Sequence, residues 1–255
     1  MDGRPSIRGR EMCWSGTNKV ISSLSSRELS LIAPHLRRFE LIPGDVLNAT
    51  HKPVSHVYFP GSGLLSIVVV FSDGNLAEAA VAGSNTVVGA SAAFGDVTAF
   101  NQVLVAASGV ADRIEAGILR RLVRESEPLR DVLVRHSQAL AAQSVQIAGC
   151  NAVHALEARL CRWLLQCRDL VGADKLPFTQ DLMSSMLGVY RPSLTHVLRK
   201  LESAQLVAVS RGKIFILDAE ALQERSCECY TAIKEQLQIV EALPDRLFRK
   251  SLLAV

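Results

Sequence analysis

The sequence lacks any apolar run that approaches the roughly 20 residues a membrane-spanning helix needs, so an integral membrane protein is not expected. It also lacks a hydrophobic segment after its basic N-terminal residues, which argues against a secretory signal. Six cysteines in 255 residues, without such a signal, indicate reduced thiols rather than a disulfide framework. Together these absences predict a cytoplasmic protein.

Common enzyme motifs are missing as well. There is no phosphate-binding loop that ends in Gly-Lys-Ser/Thr, no Gly-x-Ser-x-Gly turn and no His-Glu-x-x-His helix. We therefore expect a protein that is not an enzyme.

Cysteine and histidine spacing gives no typical metal-binding pattern. Cys227 and Cys229 are separated by one residue, whereas zinc-binding pairs usually have at least two residues between them. Cys161 and Cys167 are six residues apart, which does not place both on one face of a helix. We expect buried structural thiols and no metal or cofactor, with Cys227 and Cys229 as the one pair to test.

Composition indicates a folded protein that is only weakly basic. Hydrophobic residues make up 49% and charged residues 21%, and the length allows two domains with a core each. The net charge is +3, so any affinity for nucleic acid has to come from a local basic patch.

The N-terminal half contains short apolar runs separated by turn residues such as Pro43-Gly44-Asp45. This spacing predicts an antiparallel barrel or jelly roll. The run 64–71 is almost entirely apolar, so we expect that strand to be buried on both faces. The runs are 54–59, 64–71, 76–81, 102–107 and 110–114.

From about residue 116 the pattern becomes helical for some forty residues. Apolar and polar residues alternate there in steps of four and three, which is the spacing of a coiled-coil seam. We expect this stripe to join two copies of the chain, and the alternative is a helix that packs on its own β-roll. The predicted seam consists of Leu129, Leu133, His136, Leu140, Gln143 and Ile147.

The C-terminal half contains the pattern of a helix-turn-helix. Thr179 can cap a first helix, Gly188 suits the turn, and Pro192 fits the first turn of a second helix. The second helix has an apolar side for packing and a polar side that a DNA groove could accept. Two short strands around Arg211-Gly212 follow and predict a basic hairpin. The predicted DNA-binding residues are Thr179, Tyr190, Arg191, Pro192, Ser193, Thr195, His196, Arg199, Arg211 and Lys213.

With these residues identified, the chain resembles the Crp/Fnr family of bacterial transcription regulators over nearly its full length. The resemblance is strongest over 156–218, where the stretch 187–195, Leu-Gly-Val-Tyr-Arg-Pro-Ser-Leu-Thr, closely matches the winged-helix domain of that family. It implies a homodimer that binds a pseudo-palindromic operator in double-stranded DNA, with RNA polymerase as a partner. Arg191 matches a base-reading arginine of the family, whereas Pro192 and His196 depart from it, so a different operator is expected.

The resemblance also implies an effector-binding β-roll, but the pocket residues differ. Members that bind cyclic AMP carry a Gly-Glu pair and an arginine for the phosphate, whereas 89–96 here reads Gly-Ala-Ser-Ala-Ala-Phe-Gly-Asp. Because a buried phosphate needs a cationic partner, we do not expect cyclic AMP as the effector. Members with an iron–sulfur cluster hold it with several N-terminal cysteines, whereas only Cys13 lies there in this chain.

These observations predict an α+β fold with an N-terminal antiparallel β-roll (jelly roll), a long dimerisation helix and a C-terminal winged helix-turn-helix. The expected divisions are 19–118 for the cyclic-nucleotide-binding-like sensor, 119–154 for the dimerisation helix, 155–230 for the DNA-binding domain and 231–255 for a helical tail. Two other functions stay open: a metal or redox sensor that uses Cys227 and Cys229, and a signal-binding protein that docks another protein.

Overall fold

The computed structural model describes residues 17–242. Two short helices, α1 (Lys19–Ser22) and α2 (Ser26–Ile32), open this part of the chain. Asn18 is fully buried and caps α1 with its side-chain oxygen, which accepts two backbone N–H groups. Its side-chain nitrogen donates to the carbonyl oxygens of Pro60 and Thr86 at 2.7 and 3.0 Å. One residue therefore fixes the start of the described chain to the strand that ends at Pro60 and to the loop that contains Thr86.

Seven strands build the N-terminal β-roll as two sheets. The first sheet has the strand order β1-β7-β3 and the second has the order β2-β6-β4-β5, and every pair is antiparallel. The predicted antiparallel roll is therefore confirmed. The strands are β1 (Arg37–Leu41), β2 (Val46–Asn48), β3 (His56–Pro60), β4 (Leu64–Val70), β5 (Leu76–Ala82), β6 (Gln102–Ala107) and β7 (Gly109–Glu115).

Strand β4 is buried on both faces only along its first part. Leu65 and Ile67 pack inside the roll, whereas Leu64 and Val68 on the opposite face pack against the C-terminal half of the chain. The prediction of a fully buried run over 64–71 is wrong for its last residues, since Val69, Val70 and Phe71 are exposed. They lie at the end of the β4–β5 hairpin, where Phe71 bonds to Asn75 across the turn.

The helical stretch after the roll is divided at Ser126. Helix α3 (Ala116–Glu125) ends there and α4 (Glu127–Val153) begins, because Ser126 has an extended backbone and its hydroxyl caps α4 through the N–H of Leu129. Helix α4 is 27 residues long, yet no helix within 17–242 is long and apolar enough to cross a membrane.

The stripe predicted as the dimer seam packs within its own protomer instead. Leu129 and Leu133 belong to an apolar cluster with α3 and the N-terminal helices. The Gln143 side-chain oxygen accepts the backbone N–H of Val81 on β5 at 2.9 Å. These contacts correct the expected seam and agree with the alternative of a helix on its own roll. Five of the six residues (Leu129, Leu133, His136, Gln143 and Ile147) are buried and Leu140 is partly buried.

A second stripe on α4 remains at the surface of the chain. Its members also recur in steps of four and three, so they form one face of the helix. They are small or aliphatic apart from one glutamine, and Val145 is 74% exposed. This face, which we call the outer stripe, consists of Val134, Gln138, Ala141, Val145, Ala148 and Ala152.

The C-terminal half contains the predicted helix-turn-helix and hairpin. The hairpin and a short extra strand form a sheet with the order β8-β10-β9. The expected strands at 206–210 and 213–217 are confirmed to within one residue. The elements are α5 (Leu156–Val171), β8 (Lys175–Leu176), α6 (Gln180–Leu187), α7 (Arg191–Ser203), β9 (Val207–Ser210), β10 (Lys213–Ile216), α8 (Ala219–Glu224) and α9 (Cys229–Ala242).

Both halves of the chain contribute to one apolar core. Leu64, Val68 and Val81 of the roll pack with side chains of α5, α6 and α7, among which Trp163 and Met183 are almost completely buried. Burial of apolar side chains is the main favourable contribution to folding, so this shared core holds the roll and the C-terminal half together.

Candidate nucleic-acid interface

The helix-turn-helix is held by three local features. The Thr179 hydroxyl caps α6 by accepting the N–H of Leu182 at 3.1 Å. Gly188 ends α6 with a φ of +62°, a left-handed conformation that glycine adopts at little cost. Pro192 lies in the first turn of α7, where a missing N–H is tolerated. The turn therefore forms where the sequence predicts it.

Helix α7 has a buried apolar face and an exposed polar face. Leu194, Leu198 and Leu201 on the inner face are at most 1% exposed. Tyr190, which precedes the helix, is 86% exposed. The helix is thus anchored on one side only, and its other side is available to a ligand. The predicted residues Arg191, Pro192, Ser193, His196 and Arg199 are exposed, and Thr195 is half-buried.

A cleft between the start of α6 and the tip of the hairpin brings together Thr179, Arg191 and Arg211. Gln180 and Asp181, which the sequence patterns did not single out, also line it. Arg191 Nη1 lies 3.1 Å from Asp181 Oδ1, and both side chains are largely exposed. An exposed ion pair contributes at most about 1 kcal/mol, so Arg191 can exchange this partner for another acceptor.

The hairpin extends the basic surface beside the cleft. Gly212 has a φ of +73° and closes the turn between β9 and β10. Arg211 and Lys213 on either side of it are exposed. The pair β8–β10 fixes the hairpin to the loop that precedes Thr179. The hairpin and the first helix of the motif are therefore parts of one rigid surface.

A second, shallow depression lies further along α7. It is lined by His196, Arg199 and Lys200 together with Arg225 from the end of α8. Arg225 also contacts Glu157 of α5 at 3.2 Å. No sequence pattern connects Arg225 to α7, and only the packing of α8 against α5 brings the two together. Three of these four residues carry a fixed positive charge, which makes the depression an electropositive surface.

Comparison with known proteins agrees with this geometry. Residues 158–225 match the model of the Crp-like helix-turn-helix domain. These residues include α6, α7 and the hairpin, and the domain they match is a DNA-binding module, in line with the expectation that the chain is not an enzyme. No curated protein matches the chain significantly.

Solved structures extend the likeness to the rest of the chain. FixK2 from Bradyrhizobium japonicum is 12% identical with a TM-score of 0.62, over 75% of this chain and 98% of its own. The c-di-GMP-responsive global regulator CLP from Xanthomonas campestris is 17% identical with a TM-score of 0.61, over 76% of this chain and 100% of its own. A Crp/Fnr transcriptional regulator from Thermus thermophilus is 20% identical with a TM-score of 0.61, over 74% and 97%. The fold is that of a Crp/Fnr regulator.

Within this Crp/Fnr fold, one buried carboxylate connects the roll to the DNA-binding half. Glu78 on β5 accepts the indole N–H of Trp163 on α5 at 2.7 Å. It also accepts the hydroxyl of Ser66 on β4 at 2.5 Å. Burial raises the pKa of Glu78 to about 7, although both hydrogen bonds favour the ionised form. The roll and the helix that leads to the DNA-binding motif therefore meet at a titratable group.

This contact predicts a pH-dependent stability. The folded chain keeps the Glu78 proton up to about pH 7, whereas the unfolded chain releases it near pH 4.5. The free energy of unfolding therefore decreases as the pH rises through this window. Glu78→Gln removes this titratable group, so the free energy of unfolding of the variant should not decrease in this way. Between pH 4.5 and 7 the difference between the variant and the native chain should change in favour of the variant by on the order of 3 kcal/mol. Urea unfolding at several pH values measures this difference, and Glu235→Gln, at an exposed position on α9, controls for the lost charge. Parallel curves for Glu78→Gln and the native chain would contradict the assignment.

Proposed function

We propose that this chain is a cytoplasmic, homodimeric transcription regulator that binds a pseudo-palindromic operator in double-stranded DNA. The observation that carries the proposal is the exposed polar face of α7, which follows the turn of a matched helix-turn-helix domain. A helix anchored on one side only is suited to enter the major groove.

The distribution of charge supports DNA as the partner. Residues 155–217 contain nine Lys and Arg against five Asp and Glu, whereas 218–255 contain five against seven. Positive charge is thus concentrated on the segment that carries α7 and the hairpin, as contacts with phosphates require.

The exposed residues divide into two roles in this proposal. Arg191, Ser193 and His196 lie at the start of α7 and are candidates to read base edges. Thr179 at the start of α6 and Arg211 and Lys213 on the hairpin are candidates for phosphate contacts. Tyr190, Pro192, Thr195 and Arg199 complete the proposed surface. The Thr195 hydroxyl, which donates to Gln180 at 2.9 Å, keeps the two helices in register.

The outer stripe of α4 is the proposed dimer contact. It has coiled-coil spacing along the exposed side of the longest described helix, and its small side chains allow two helices to approach closely. A second copy of the chain would cover Val145 and its neighbours. Two α7 helices related by a two-fold axis then suit an operator with two half-sites.

Signal transfer in this proposal runs from the roll to the DNA-binding half. A small-molecule effector of the roll, other than cyclic AMP, would act on contacts that α4 and α5 make with β5, namely the Gln143–Val81 and Trp163–Glu78 bonds. Arg120 of α3 ties the segment 89–96 to the helices through Ala92 and Asp96. RNA polymerase is the proposed protein partner.

Replacement of Arg191 by alanine tests base reading. We expect a loss of roughly 1–3 kcal/mol on the operator and relaxed selectivity at one base pair of each half-site, because a bidentate arginine–guanine contact disappears. Fluorescence anisotropy with a set of single-base operator variants measures both effects. Lys52→Ala, which removes the same charge from an exposed position on the roll, is the control and should bind normally. An equal loss on unrelated DNA would assign Arg191 to phosphate.

Two aspartate substitutions on α4 distinguish the outer stripe from the buried one. Val145→Asp should give a folded monomer, because a charge enters the proposed contact without touching the core. Leu133→Asp should unfold the chain, because it places an unpaired charge at a site that is 1% exposed. Light scattering and circular dichroism report the two outcomes, and Ile42→Asp, exposed on the roll, should change neither. If the Val145→Asp chain is still a dimer, the outer stripe is not the dimer contact.

A further inference from the structure

Four metal-ligating side chains that are far apart in the sequence meet at the junction of α4 and α9. Cys150 lies in the last turn of α4, His154 ends that helix, and Cys227 and Cys229 lie just before and at the start of α9. One ligand atom from each of the four lies within 4.8 Å of all the others. The sequence singled out only Cys227 and Cys229, and Cys150 joins them across 77 residues.

The separations suit a single ion. Around a tetrahedral zinc ion, bonds of about 2.3 Å to sulfur and about 2.0 Å to nitrogen place neighbouring ligand atoms roughly 3.4–3.8 Å apart. Cys150 Sγ and Cys227 Sγ are 3.5 Å apart, and Cys229 Sγ is 3.7 Å from His154 Nδ1. From this geometry we propose that Cys150, His154, Cys227 and Cys229 form a structural site for one zinc-like divalent ion.

The surroundings of the four ligands are those of a metal site. His154 Nε2 lies 3.2 Å from Glu228 Oε1, so the carboxylate holds the proton on that nitrogen and leaves Nδ1 free to bind an ion. The Gln146 side-chain nitrogen donates to Cys229 Sγ at 3.1 Å, which supports a thiolate. Three thiolates and a divalent ion carry a net charge of −1. The buried guanidinium of Arg162 is positively charged and stabilises the thiolate of Cys150.

A disulfide or an iron–sulfur cluster fits these four residues less well than a single metal ion. A disulfide between Cys150 and Cys227 needs an S–S distance of about 2.05 Å and leaves Cys229 and His154 without a role. An iron–sulfur cluster distributes its four protein ligands over two or more irons, which spreads the set further apart than around one ion. A single tetrahedral ion employs all four side chains.

The position of the site determines what an ion would do. His154 lies just before α5 and Cys227 lies shortly after the end of α8, so one ion would join both ends of the segment α5–α8 to α4. Helix α9 already packs along α4, and the ion would fix this contact. Metal binding is therefore coupled to the folding of the junction and to the angle between α4 and α5, the helix that leads to the helix-turn-helix.

Metal titration of the full-length, reduced chain tests the site directly. After chelator treatment, Zn²⁺ should bind at one ion per chain and raise the melting temperature. Co²⁺ should produce the visible absorption of a tetrahedral thiolate complex. Both signals should disappear when Cys227 and Cys229 are replaced by serine, whereas Glu228→Gln should weaken binding by about 10–100-fold.

Cys167→Ala is the matched control, because Cys167 is fully buried on α5 outside the four-residue site. This variant should retain the cobalt spectrum of the native chain. Absence of zinc binding to the reduced chain, equal binding by the double serine variant, or a Cys150–Cys227 disulfide in metal-free protein would each overturn the proposal. The cobalt spectrum is measured without DNA, so it tests the metal site even if the proposed operator binding fails.

Discussion

The structure depends on the apolar core that the β-roll shares with the DNA-binding half. Val68 and Val81 pack on one side of this core and Trp163 on the other, with no solvent layer between them. Glu78 places a hydrogen-bonded carboxylate within it and accepts the Trp163 indole. Because interiors are close-packed, a change in the packing of the roll would reach α5 through this core in the signal transfer that we propose. The core thus gives the two halves a direct mechanical connection in addition to α4.

Helix α4 has two different faces. The inner face, with Leu133 and Gln143, completes the roll, whereas the outer stripe around Val145 is exposed. Both stripes have the same seven-residue spacing, and periodicity alone does not say which one faces a second chain. In the sequence, the polar residues of the inner stripe favour its interpretation as a dimer seam. In the structure, the polar side chain of Gln143 has another role, because it accepts a backbone N–H of β5.

Local signals in the sequence were sufficient for the fold of the C-terminal half. The Thr179 cap, the Gly188 turn and the early Pro192 act within a few residues of their own position, so their consequences can be predicted without tertiary contacts. The same holds for the hairpin at Gly212. The polar face of α7 followed from helical periodicity alone.

Features that arise from long-range packing could not be predicted in this way. The grouping of Cys150 with Cys227, the approach of Arg225 to α7 and the Glu78–Trp163 bond each join residues about 25 to 85 positions apart. No spacing rule encodes such distances, because they depend on how the roll, α4 and α9 pack. The break at Ser126 is intermediate, since a cap can be recognised in the sequence but competes there with a continuous helical pattern.

A salt titration of DNA binding tests most directly whether α7 and the hairpin bind DNA. A duplex obtained by in vitro selection and a random duplex of equal length are each titrated with the chain at increasing salt. We predict tight binding to a pseudo-palindromic duplex, about 10³-fold or more above random DNA, with log K decreasing linearly with log salt for both. A chain that binds no selected duplex, or whose binding does not change with salt, would contradict the assignment of α7 and the hairpin to DNA.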